Sequence, residues 1–285
     1  MIEGTALFNV PGLPEPCKTW YKVFGDLTSA TPLMVLHGGP GPCHEYLLPL
    51  TDLASSVPVV FYDQIGNGRS THLPGKADDE KFWTVDLFQN EFENFVTHLG
   101  LKDRPIDVYG HSWGGMLVAV WAGSTSASNL RRLIISNSFA SMDVWRIGIT
   151  HLRKNLPASV QEVLDKAEET KGFESPEYEA AVEEVQAALK WFAEDPTTYG
   201  TMYGPSELYI SGSLRDWMCI PLLSKIKTHT LLINGDQDEA QDVAIQPFFE
   251  HISKVKWVTI NNAAHFSHVD QREKYMRYLK DFLWT

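Results

Sequence analysis

The sequence predicts an α/β fold: a mostly parallel, twisted sheet with helices on both faces and a helical insertion on its loop edge. Three observations carry this expectation. Short β-branched apolar runs recur at 32–39, 57–66, 106–112, 130–138, 228–236 and 255–262. Amphipathic helical patterns lie between several of them, and from Met142 to Ser213 charged helical sequence replaces the strand pattern altogether. Runs that are apolar almost throughout suit strands buried on both faces, as parallel strands are.

The first run, PLMVLHGG, leads into the glycine-rich LHGGPG and predicts a strand followed by a tight turn. Next, TVDLFQNEFENFVTHLG spaces Val85, Phe88, Phe92, Phe95 and Leu99 three or four apart, with Gly100 as a stop signal, so a helix is expected there. IDVYGHS then reads as a strand and MLVAVWAG as a helix of small and apolar residues. In the insertion, LPASVQEVLDKAEETKGF and SPEYEAAVEEVQAALKWFAED are charged amphipathic helical stretches. The strands resume afterwards. The expected organisation is a core over 1–141, a helical cap over 142–213, and the rest of the core over 214–285.

With 285 residues and 44% hydrophobic content, the chain can bury one large core and carry such an insertion. A net charge of −12 without a compensating basic cluster argues against nucleic acid and anionic membranes as partners. Cys17, Cys43 and Cys219 form no CxxC pair, so neither a disulfide framework nor a zinc site is expected, and a reducing cytoplasmic setting fits. Glu3 and the early prolines interrupt what a signal peptide would need, and no apolar run is long enough to span a bilayer. HExxH spacing and a Walker lysine are both missing, so no metal or cofactor is expected.

The chemistry centres on VYGHSWGG, where Gly-x-Ser-x-Gly falls between a predicted strand and a predicted helix. In that context it forms a nucleophile elbow, a strained turn that lifts the Ser112 hydroxyl into the open. Serine needs a base, and the base needs an orienting carboxylate. Downstream, DQDEAQD follows one strand and NNAAHFSH follows the next, giving the order serine, acid, histidine expected of an α/β-hydrolase fold. His265 is preferred to His268 because the small Ala263 and Ala264 precede it. Spacing does not separate Asp236 from Asp238. The LHGGPG turn and the residue after the nucleophile would supply the oxyanion donors, the backbone N–H groups of Gly39 and Trp113. The Trp113 ring would either wall the acyl pocket or pack into the cap interface. Asp63 and Arg69 read as a structural charged pair across YDQIGNGRS.

Taken together, LHGGPGPCHEYLLPL, VVFYDQIGNGRS, YGHSWGG, GPSELYISGSLRDW, NGDQDEA and AAHFSHVDQREKY closely resemble the proline iminopeptidase family of α/β-hydrolases, which includes related L-amino acid amidases. The resemblance covers most of the chain. It implies Ser112 as nucleophile, His265 as base and Asp238, rather than Asp236, as the acid. It also implies that Glu207 and Glu239 bind the substrate's α-ammonium group. The implied activity is cleavage of an amide next to a free α-amino group in a small molecule or short peptide. The alternative is an esterase, lactonase or amidase acting on a small non-peptide metabolite. The cap lacks the family's longer His/Cys/Arg-containing helical stretch, which implies a pocket of different shape.

Overall fold

The computed structural model describes residues 1–124, 127–185 and 195–284. Its centre is an eight-stranded sheet formed by β1 (Ile2–Phe8), β2 (Cys17–Phe24), β3 (Leu33–Leu36), β4 (Val59–Tyr62), β5 (Ile106–His111), β6 (Leu130–Ser136), β7 (His229–Gly235) and β8 (Val255–Ile260). The strands lie in the order β1-β2-β4-β3-β5-β6-β7-β8. All pairings from β4 to β8 are parallel, while β1 and β2 pair antiparallel with each other and β2 with β4.

The six predicted runs are β3 to β8. The expectation of burial on both faces holds for β3, β4 and β5, every residue of which is buried. It fails for β8, where Ile260 alone is fully buried, because β8 is the sheet's edge. The hairpin β1–β2 was not predicted. Its inward residues, such as Ala6 and Phe8, are offset by Ile2 and Leu7, which are more than half exposed, so the apolar pattern loses its period of two.

Residue parity sorts the sheet's side chains between two cores. Met34, Leu36, Val60 and Tyr62 face one, while Leu33, Val35, Val59 and Phe61 face the other. Helices α1 (Val85–His98) and α2 (Trp113–Ala122) cover the first. The Thr84 side chain caps α1 by accepting from Leu87 N–H. Four helices follow: α3 (Met142–Arg153), α4 (Ala158–Thr170), α5 (Pro176–Val185) and α6 (Pro196–Met202). Met142, Trp145 and Ile149 of α3 join the first core, whereas Val160, Leu164, Tyr178 and Ala181 of α4 and α5 make a small core of their own. Residues 186–194 of the predicted SPEYEAAVEEVQAALKWFAED stretch lie outside the described residues.

After a short turn of helix α7 (Ile220–Leu223), α8 (Asp242–His251) returns to the first core. Helices α9 (Ser267–Asp270) and α10 (Arg272–Trp284), with a 3-10 segment over His44–Leu53, close the chain's second face. There Tyr275, Met276 and Leu279 of α10 pack with Leu47, Leu50 and Leu53. Among the described residues no helix is long and apolar enough to cross a membrane.

Candidate active site

Sheet order explains where the site forms. The chain leaves β3 for β4 on one side and returns to β5 on the other, so the carboxyl ends of β3 and β5 bound a crevice. Leu36 pairs with Gly110, which sets the glycine turn after β3 beside the elbow after β5. At the elbow Ser112 has φ 52° and ψ −120°, a left-handed conformation that costs a non-glycine residue on the order of 1–3 kcal/mol. The turn closes tightly. A Cβ at Gly114 would lie 2.4 Å from the Leu36 carbonyl oxygen, so only glycine lets α2 come this near to β3.

Trp113 is the first residue of α2, so its N–H has no intrahelical acceptor. Gly39 has φ 109°, and a Cβ there would meet Pro42 Cδ at 2.3 Å. His37 fixes this turn: its Nδ1 bonds to the Gly38 carbonyl at 2.7 Å and its Nε2 accepts from Gln64 N–H at 2.9 Å. The Trp113 ring packs rather than walling the pocket, in a core that also holds Met142, Trp145, Met202 and Tyr203 of the insertion. It is fully buried in the first core, donates to Gln64 Oε1 at 2.8 Å and sits edge-on to Phe88, away from the pocket that Ser112 and His265 line. The first turn of α2 points inward, which carries the ring beneath the elbow.

The adjacent strands β7 and β8 deliver the acid and the imidazole. Asp238 Oδ1 lies 2.8 Å from His265 Nδ1 and also accepts from Ala240 N–H at 3.0 Å. Its Oδ2 accepts from Asn137 Nδ2 at 2.7 Å, and the Asn137 amide also reaches Ala264 O and Ser267 Oγ. Asn137, which follows β6 with φ 48°, thus ties the acid loop to the histidine loop. The structure separates the two aspartates: Asp236 is exposed and accepts from Ala263 N–H, whereas Asp238 is the one bonded to the imidazole. His268 is buried in α9 and its Nε2 donates to the Tyr46 carbonyl, so it does not compete with His265. Ser112 and His265 line the same pocket without a hydrogen bond between them, a looseness common in catalytic pairs without substrate.

Two further carboxylates enter this pocket's surroundings. Glu207, from the segment after α6, is buried and lines the pocket with Ser112 and His265. Glu239 Oε1 lies 3.7 Å from His265 Nδ1 and has no hydrogen-bond partner. Burial and the neighbouring Glu239 push Glu207 up to about 8, and burial raises Glu239 as well. Burial disfavours the charged imidazole of His265, but Glu239, Asp238 and Glu207 outweigh it and lift His265 to about 9.

A network unforeseen in the sequence braces the two sides of the site. Gly38 N–H donates to Tyr46 Oη at 2.6 Å, and Tyr46 Oη lies 3.0 Å from His111 Nδ1. His111 Nε2 lies 2.9 Å from the carbonyl oxygen of His265. Since that carbonyl only accepts, His111 carries its proton on Nε2 and takes the Tyr46 hydroxyl proton at Nδ1. Burial, with His265 and His268 nearby, holds His111 well below the ordinary imidazole range and therefore neutral.

Asp63 is structural as expected, but Arg69 is not its ionic partner. Asp63 accepts from His44 N–H and Nδ1 and from the backbone N–H of Arg69, at 2.8 to 3.0 Å. The Arg69 guanidinium turns instead to Glu3 and Glu45 and lies over the Trp20 ring. Among the described residues the one grouping of metal-ligand type is Cys43, His44 and Asp63. Asp63 already spends its oxygens on that loop, so the grouping fits a structural clasp better than an ion site.

The profile of a family described as the alpha/beta hydrolase fold matches residues 31–271. The chain is 30% identical to the proline iminopeptidase of Heyndrickxia coagulans, over 92% of this chain and 94% of that one. The crystal structure of a proline iminopeptidase from Mycobacterium smegmatis superposes with a TM-score of 0.85 at 34% identity, covering 99% of this chain and 97% of the other. The crystal structure of VinJ superposes with a TM-score of 0.88 at 38% identity, covering 99% and 98%.

Proposed function

The chain belongs to the alpha/beta hydrolase family and, within it, to the proline iminopeptidases, and from that premise we propose that this hydrolase cleaves the amide next to a free α-amino group. Its substrates on this reading are aminoacyl amides or short peptides. Ser112 attacks the carbonyl, His265 takes the hydroxyl proton and later returns it to the leaving amine, and Asp238 holds the imidazole through Nδ1. The N–H groups of Gly39 and Trp113 stabilise the oxyanion, helped by the positive end of α2. Water then releases the acyl group from Ser112, with His265 again as base. The helices between 142 and 213 act as the cap that limits substrate size.

The observation that supports an amine-directed activity is the pair Glu207 and Glu239 beside His265. Among the described residues their electrostatic partners are each other, Asp238 and His265, with no lysine or arginine to neutralise them. A buried carboxylate and a half-buried one with no lysine or arginine beside them suit a ligand that brings a cation.

The test compares aminoacyl-p-nitroanilides, prolyl and alanyl among them, with their N-acetyl forms. Acetylation removes the charge and is expected to lower kcat/KM by roughly 30-fold or more, the effect of losing a partner from a buried charge pair. Equal kcat/KM for free and acetylated substrates would show that the glutamates do not recognise an amine.

A further inference from the structure

We propose that the substrate's own ammonium group switches on the general base: bound between Glu207 and Glu239, it offsets the carboxylate charge beside His265 and frees the imidazole to take the Ser112 proton. This rests on the amine-directed reading above and adds a step to it. Amine recognition alone needs only a contact, whereas the switch needs the glutamates to act on the imidazole.

Geometry brings three carboxylates to one ring. His265 Nδ1 is 2.8 Å from Asp238 Oδ1 and 3.7 Å from Glu239 Oε1, and Glu207 lines the pocket that the ring faces. The three are not equivalent. Asp238 receives N–H bonds from Ala240 and Asn137 that temper its charge, whereas among the described residues no donor reaches Glu239 Oε1. The groups facing His265 from other elements add no compensating cation. His111, at the end of β5, has its ring centroid 4.9 Å away and is held neutral by burial. His268 in α9 is pushed down to about 4 by burial. Tyr199 of α6 and Tyr203 just after it are raised by burial and by Glu207, so both stay uncharged.

A base in this setting is in the wrong state for its task. With His265 lifted to about 9, the imidazolium dominates at pH 7 and a free Nε2 lone pair is scarce. An ammonium group between Glu207 and Glu239 cancels the charge that holds the extra proton. The Nε2 proton then passes to water, Nδ1–H stays on Asp238, and Nε2 is free to take the proton of Ser112 when its oxygen attacks. Glu207, itself lifted to about 8, keeps its proton at pH 7 and meets the ammonium group through its carbonyl oxygen, so the one charge the cation offsets at His265 is that of Glu239. A neutral substrate triggers no release. Selectivity for free amines would therefore combine a lost contact with an unprepared base.

The experiment measures inactivation of Ser112 by the uncharged phenylmethanesulfonyl fluoride across pH 5.5–10, with ethylammonium chloride or matched tetramethylammonium chloride. For the free enzyme the rate should rise with a midpoint near 9. Ethylammonium should move that midpoint down by at least one unit and raise the pH 7 rate about tenfold or more. Glu239→Gln should shift the midpoint down without amine and abolish the response, and Glu207→Gln should do so partly. A free-enzyme midpoint near that of an ordinary imidazole, or a midpoint unmoved by ethylammonium and by both variants, overturns the switch. Imidazole NMR of the intact enzyme, with the His265 signal identified by its loss in His265→Gln, reads the same midpoint if the reagent does not react. Failure to label Ser112 at any pH counts against the serine mechanism itself. A raised midpoint that falls in Glu239→Gln but ignores ethylammonium, with equal rates for acetylated substrates, counts against amine binding and the switch together.

Discussion

Tyr46→Phe removes a single oxygen, and the structure says what that oxygen holds. Its hydroxyl accepts from Gly38 N–H and donates to His111 Nδ1, inside a buried setting. Without it the Gly38 N–H loses its acceptor. His111 also loses its donor at Nδ1, and a tautomer change would instead deprive the His265 carbonyl of the Nε2–H bond. Each buried polar group left unpaired costs about 1–3 kcal/mol, so the variant should be destabilised by about 2–5 kcal/mol. A chain of this size should then melt roughly 5–15 °C lower and still be folded at 25 °C. Gly38 immediately precedes the Gly39 N–H assigned to the oxyanion, so its release should also misplace that donor. A displacement of about 1 Å would lower kcat by about 100-fold, with a smaller change in KM. Thermal unfolding and steady-state kinetics on an aminoacyl-p-nitroanilide measure both effects. A Tm within about 2 °C of the parent, together with a kcat within about threefold, would refute the hydrogen-bond order argued for this network.

Other expectations follow from the same geometry. Asp238→Asn would set an amide against the donors Ala240 N–H and Asn137 Nδ2, and should lower kcat about 1,000- to 10,000-fold, as the wrong histidine tautomer does in serine proteases; single-turnover rates within tenfold of the parent would sink the assignment. Glu91 is buried and lifted to about 8 by that burial, although Thr19 and the Ile65 N–H bond to it. Its folded form keeps a proton that the unfolded chain releases near pH 4.5, so stability should fall as pH rises from about 4.5 to 8, and Glu91→Gln should flatten that slope in urea titrations. His268 has the opposite sign. Held at about 4 against an ordinary value of 6.5, it protonates more readily in the unfolded chain, so stability should fall as pH drops from 6.5 toward 4; a His268→Gln profile parallel to the parent's in that window would contradict this. Glu207→Gln should depress turnover of free aminoacyl anilides while sparing a simple uncharged ester, and parallel losses on both would point to a general packing defect.

The site's outline could be read from the sequence because its parts follow strands. Runs buried on both faces, such as LMVL and VVFY, declare themselves whatever lies around them, and the residues just after them inherit their positions. Ser112, His265 and the glycine turn were legible for that reason. Spacing alone did not separate Asp236 from Asp238, since two residues in a loop do not say which carboxylate turns inward; the family resemblance pointed to Asp238, and the Asn137 and Ala240 donors hold that carboxylate against the imidazole. Tyr46 and His111 carried no signal, because their meaning depends on a contact between residues far apart in the chain. Nor did the Arg69 side chain, whose choice of Glu3 and Glu45 depends on the unforeseen strand β1. The hairpin β1–β2 was obscured by Ile2 and Leu7 facing solvent, a pattern that packing permits at a sheet margin and that periodicity alone misreads.

The position of the insertion between β6 and β7 also bears on when this protein becomes dangerous to its surroundings. On the proposed mechanism, the serine elbow and the oxyanion turn are encoded before the insertion, and the acid and the histidine after it. The bond from His111 to the His265 carbonyl spans 154 residues. During synthesis the first half therefore emerges with a strained serine but no base to activate it, and the missing partners arrive only when the last two strands dock. Contacts of such sequence separation form late in folding. Competence to hydrolyse then coincides with completion of the sheet, so a partly made chain is an incomplete tool rather than an unregulated one.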